Sequence, residues 1–131
     1  MPKECLNPPT LPKPARPTYS QVVKATGGTL IFISGQASLD RNGNIVGKGD
    51  IEKQTRQTLE NLKEALNAVG AKLEDVVKIT ILLTDLRYFD VIHKVRAEYF
   101  KEKPPASTLI QVPGLFLPDL LIEIDAIAIK E

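Results

Sequence analysis

At 131 residues, 43% of them hydrophobic and 25% charged, the chain has the size and make-up of one globular domain, read here as residues 1–131 with no linker-like break in composition. A formal net charge of +1, with Lys and Arg spread along the chain, argues against nucleic acid or an anionic membrane surface as partner. The apolar runs at 30–33 and 120–122 fall far short of the roughly 20 residues that span a bilayer.

The opening Met1-Pro2-Lys3-Glu4-Cys5 has no apolar signal core, and a single cysteine cannot form an internal disulfide, which together predict a cytoplasmic location. Pro8, Pro9, Pro12, Pro14 and Pro17 make residues 7–17 an extended arm, because proline can neither donate to a ladder nor sit inside a helix. Residues 19–25 and 29–34 are β-prone and flank Gly27-Gly28, the pattern of an antiparallel hairpin. A stretch at 36–39 then leads into the Asn42-Gly43 turn, and Ile45-Val46 predicts a short third strand.

From Asp50 the period changes. Ile51, Thr55, Leu59, Leu62, Leu66 and Val69 recur at three and four residues, predicting an amphipathic helix with Asp50 as N-cap and Gly70 at its end. Val77, Ile79, Ile81 and Leu83 then alternate with more polar positions, the period of a strand. Asp85 opens a second helix with Tyr88, Ile92, Val95 and Tyr99 on its apolar stripe, and Pro104-Pro105 closes it. Residues 107–112 and 120–129 are the last strands, separated by Pro113-Gly114 and Pro118. The predicted class is α/β, in the order β-β-β-α-β-α-β-β, with two helices on one face of a six-stranded mixed sheet.

The last strand presents apolar residues to both sides: Ile122, Ile124, Ala126 and Ala128 on one, Leu121, Ile127 and Ile129 with Glu123 and Asp125 on the other. Two helices cover one sheet face only, so the other predicts closed self-association.

No Gly-rich phosphate loop, metal-spaced Cys/His cluster or nucleophile beside a base is present, which predicts neither metal nor cofactor. His93, the only histidine, lies one turn after Phe89; it is either a packed helix residue or a hydrogen-bonding group at a cleft edge. Glu123 stands between Ile122 and Ile124, where an unpaired carboxylate is costly to bury. On these grounds alone, an intersubunit salt bridge and a water-activating carboxylate fit it equally well.

Four segments, in order, carry a resemblance over nearly the whole chain: Tyr19-Ser20-Gln21, Ile31-Phe32-Ile33-Ser34-Gly35-Gln36, Thr58-Leu59-Glu60-Asn61-Leu62 and Ile122-Glu123-Ile124-Asp125-Ala126-Ile127-Ala128. The chain resembles the Rid (YjgF) family of reactive-intermediate deaminases. The resemblance implies a chorismate-mutase-like fold, a homotrimer with small-molecule clefts between subunits, and cofactor-free hydrolysis of enamines and imines to a keto product and ammonia. By position, it implies that Tyr19 lines the cleft, Ser34 and Gly35 border it, and Glu123 positions or activates the attacking water.

Two positions depart from the pattern. Where the family reads Pro-Ala-Arg-Ser/Thr, this chain has Pro105-Ala106-Ser107-Thr108, and His93 replaces a usual asparagine. The loop at 112–118 is also slightly longer. A guanidinium grips a carboxylate through two charge-assisted bonds, which the Ser107 hydroxyl cannot reproduce. Deamination with an altered substrate range, with Arg16, Arg96 or protonated His93 supplying the missing charge, is therefore one reading. A non-catalytic trimeric metabolite-binding module is the second, and an endoribonuclease or translation inhibitor, as attached to some relatives, is the most remote.

Overall fold

The computed structural model describes residues 3–131. The central sheet has four strands: β3 (Thr29–Ala37), β4 (Val76–Leu83), β5 (Ala106–Gln111) and β6 (Ile122–Lys130), in spatial order β3-β6-β4-β5. β6 is antiparallel to both its neighbours, whereas β4 and β5 are parallel. Parallel strands cannot be joined by a tight turn. The connections accordingly carry the helices, α1 (Ile51–Asn67) between β3 and β4 and α2 (Phe89–Tyr99) between β4 and β5.

α1 begins where the sequence predicts, with the Asp50 carboxylate accepting from Lys53 N at 3.0 Å. Its apolar stripe, Leu59, Leu62 and Leu66, is fully buried against Ile79, Ile81 and Leu83 of β4 and Ile122, Ile124, Ala126 and Ala128 of β6. Each such leucine contributes roughly 1.5–3 kcal/mol by leaving water. Asp85 caps a short 3-10 turn, Leu86–Tyr88, that runs directly into α2, and Ile92 and Val95 complete the same core. Among the described residues no helix is long and apolar enough to cross a membrane.

The α/β class and the helices on one side agree with the sequence reading, but the strands are distributed differently. β2 (Val22–Ala25) does not form a hairpin with β3; it pairs with β1 (Lys3–Leu6), a strand not expected from sequence, in a separate two-stranded antiparallel sheet. The single six-stranded sheet is thus a four-stranded and a two-stranded one. Two contacts account for the departure. Ser20 N and Oγ donate to the Pro105 and Pro104 carbonyls at 3.0 and 2.6 Å, drawing the chain before β2 toward the β5 edge, away from β3. Lys3 Nζ donates to the Val76 carbonyl at 2.7 Å, holding β1 beside the start of β4.

The predicted third strand at Ile45-Val46 shrinks to an isolated bridge between Leu39 and Ile45. Its turn is closed by the Asp40 carboxylate, which accepts from Asn42 N and Asn44 N at 2.9 Å each, with Gly43 at a φ of +83°.

Among the described residues, nothing covers the sheet face away from the helices at Leu30, Phe32 and Ile110. Leu30, Phe32 and Ile110 lie on it with 57%, 71% and 47% of their surface exposed, while Ile31 and Ile33 turn toward the core.

Candidate functional site

β3 is interrupted just where the Ser-Gly-Gln motif falls. The ladder pairs Ile33 with Ala126 and then Gln36 with Ile124, so Ser34 and Gly35 together stand opposite Asp125. This is a β-bulge, a device that re-aims side chains at sheet edges and sites. The Glu123 carboxylate packs into the space that the bulge opens: a Cβ at position 35 would overlap Oε2 of Glu123. Glycine is required here for close approach, not for an unusual φ. Among the described residues Glu123 forms no ion pair, so the carboxylate is free to take a water or a ligand hydrogen.

Two side chains fix this corner from the helix side. Asn61 Nδ2 donates to the Ala37 and Leu39 carbonyls at 2.9 and 2.8 Å, holding the end of β3 to α1. Gln54, fully buried, donates to the Gly47 and Asp119 carbonyls and accepts from Leu121 N at 2.8 Å, setting the entry to β6 two residues before Glu123.

A second group forms at the other edge of the sheet. Tyr19, His93 and Ser107 line one cavity of about 190 Å³, together with Ala15, Phe89, Arg96 and Leu109. The arm supplies Tyr19, whose hydroxyl accepts from Ala15 N at 2.9 Å. α2 supplies His93, buried edge-to-face against Phe89, with Nδ1 and Thr18 Oγ1 sharing a 2.7 Å hydrogen bond. Burial, and then the charges of Arg96 and Arg16, push the His93 pKa down to about 4, so its imidazole is neutral at physiological pH. Without a bound anion, His93 therefore carries no charge to the cavity at that pH. Arg16 is already engaged, its Nη2 donating to Asp90 at 2.7 Å.

Arg96 differs from both. Only 1% exposed, it donates through Nη2 to the Thr18 carbonyl at 3.1 Å, while its buried Nε has no partner. Desolvation lowers its pKa to about 10, which leaves it charged at neutral pH. A trace of its placement exists in the sequence: position 96 follows His93 by three residues and Phe89 by seven, on the inward stripe of α2. Nothing comparable marks Thr18 or Gln54.

The two groups do not meet within one chain. Ser107 pairs with Ile79, a core residue, and therefore faces the helices. Glu123 pairs with Leu82, whose neighbours Ile81 and Leu83 are buried, and therefore faces the open side. β4 also lies between their strands, a separation of roughly 10 Å.

A family model described as Endoribonuclease L-PSP matches residues 10–130. The chain belongs to the Rid/YjgF family. Rid relatives align over almost their full length: a RutC family protein of Pyrococcus horikoshii is 46% identical over 98% of this chain and 99% of its own. The 3-aminoacrylate deaminase RutC of Acinetobacter baylyi is 41% identical over 98% of both chains. Among solved structures, the Rid protein YyfB of Yersinia pestis, itself of unknown function, superposes with a TM-score of 0.93 at 33% identity, covering 99% of this chain and 100% of that one. This Rid chain thus keeps the family's α/β fold while carrying Ser107 in the same cavity as a buried arginine from α2.

Proposed function

We propose that this Rid protein hydrolyses small reactive imines and enamines to a carbonyl compound and ammonia, in a homo-oligomer, a trimer by family resemblance, whose subunits bring Glu123 of one copy to the Tyr19, His93 and Ser107 cavity of the next. The observation that carries this reading is the unpaired Glu123 carboxylate seated in the Gly35 bulge. A carboxylate so held can orient a water for attack. Water adds to the C=N carbon, and Glu123 relays one of its protons to nitrogen. The carbinolamine then expels ammonia and leaves C=O. An enamine enters this sequence after protonation at carbon gives the imine.

The 41% identical deaminase supports this chemistry, since 3-aminoacrylate is itself an enamine. Assembly is supported by the exposed apolar face around Phe32 and by the opposed faces of the two groups, which only a second copy could bring around one small molecule. Ribonuclease action, the family model's description, is not favoured: the net charge is +1, with Lys and Arg spread along the chain and not gathered into a basic patch.

The test generates 2-iminopropanoate, 2-iminobutanoate and 3-aminoacrylate in situ and follows their loss. Accelerated ammonia release that drops about 10²-fold or more in Glu123→Ala is expected. No acceleration with any of the three, or an undiminished rate in Glu123→Ala, sinks the reading. Absence of turnover with retained ligand binding would favour the non-catalytic module.

A further inference from the structure

We infer that Arg96, from α2, is the anion anchor of the cavity, gripping a small carboxylate from the helix side where the family pattern would supply an arginine from β5. Four observations carry this. Arg96 lines the cavity beside Tyr19, His93 and Ser107. It is 1% exposed, yet no carboxylate is among the cavity's lining residues and no ion pair involves it among the described residues. Its one hydrogen bond goes to the Thr18 carbonyl, leaving Nε without a partner. Of the other candidate cations, Arg16 pairs with Asp90 at the surface and is not among the cavity's lining residues, and burial disfavours the charged form of His93.

A buried cation without a counter-ion is destabilising unless a ligand supplies the opposite charge, and a guanidinium's planar fork suits a carboxylate. Ser107 is what makes this arrangement possible. An arginine at 107 would project from β5 into the same cavity and set two guanidinium groups side by side, whereas the serine leaves room for the ligand and adds a hydroxyl donor. The volume, about 190 Å³, lies below the roughly 300 Å³ at which drug-sized sites begin. It fits an acid of three or four carbons. Phe89 and Leu109 provide an apolar wall for the remainder of such a molecule.

The inference rests on the reading of this cavity as part of the substrate site, but its test is binding and not turnover. Calorimetry of the full chain with 2-oxobutanoate and with neutral 2-oxobutanamide should show the carboxylate bound at least tenfold more tightly. Arg96→Met should abolish that preference, and Arg96→Lys, which keeps the charge but loses the fork, should weaken it. The double variant Arg96→Met/Ser107→Arg should recover carboxylate binding by returning the guanidinium from β5. Should the Met variant not fold, the wild-type Arg96 Nε–H NMR resonance, assigned by its loss in Arg96→Lys, is expected to shift on 2-oxobutanoate addition. Equal affinity for acid and amide, no binding of either, an unmoved Nε–H resonance, or unchanged affinity in a folded Arg96→Met each overturns the assignment. Arg96-dependent binding without imine turnover would refute the deaminase reading and leave the anchor standing.

Discussion

The carboxylate of Glu123 occupies the space that a side chain at Gly35 would fill, so the bulge in β3 and the acid in β6 are one device. Gly35→Ala should therefore act on the acid and not on the fold as a whole. The added methyl forces Glu123 aside, and overpacking of this kind costs about 1–3 kcal/mol. A modest fall in melting temperature with a loss of imine hydrolysis approaching that of Glu123→Ala is expected. Full activity in Gly35→Ala would show that the carboxylate position does not matter.

His93 ties stability to pH. Its pKa is about 4 in the folded chain against 6.5 as the ordinary value, so between these the unfolded state binds more protons. The stability that His93 contributes is complete above about pH 6.5 and is lost as pH falls toward 4, to an extent of up to about 3 kcal/mol. Urea unfolding at pH 4.5 and 7.5 should show wild type losing more stability than His93→Asn. Equal losses would mean that His93 titrates normally.

Gln54 holds the segment leading into Glu123 through bonds to Gly47, Asp119 and Leu121. Gln54→Ala leaves these buried backbone groups without partners, each a cost of about 1–3 kcal/mol where water does not enter. A large drop in the denaturation midpoint is expected, larger than for Gln57→Ala, whose side chain bonds only Asn61 on the half-buried side of α1. Similar midpoints for the two would remove Gln54 from this role.

Phe32 is the most exposed large apolar side chain on the open sheet face. Phe32→Lys should leave the monomer core intact while placing a charge where a neighbouring subunit would pack. Light scattering after size exclusion is expected to show an oligomer for wild type and a smaller species for the variant. A wild-type monomer at micromolar concentration would contradict the assembly itself.

Periodicity made both helices and strands β4 and β6 legible, because burial on one face imposes a repeat of 3.6 or 2 on the residues themselves, while β3 and β5 were marked by the Gly and Pro turn residues that bound them. Asp50, a local cap, was equally visible. Local signals could not say which strand β2 would choose. Gly27-Gly28 permits a turn but does not select a partner, and the choice fell to Ser20 and Lys3 reaching carbonyls at 104–105 and 76, each more than 70 residues away.

The same division holds at the candidate site. Tyr19, Ser34, Gly35, His93, Ser107 and Glu123 were selected from sequence pattern and resemblance, but their grouping into two sets on opposite sheet faces was not. Sequence by itself determined both helices, the central strands, the unusual Ser107 and the apolar second face, but not β1. Only the tertiary structure decided that His93 is desolvated and neutral, and that the cation left beside Ser107 is Arg96. Charge state and proximity depend on what surrounds a group in space, and that environment is assembled from segments far apart in the chain.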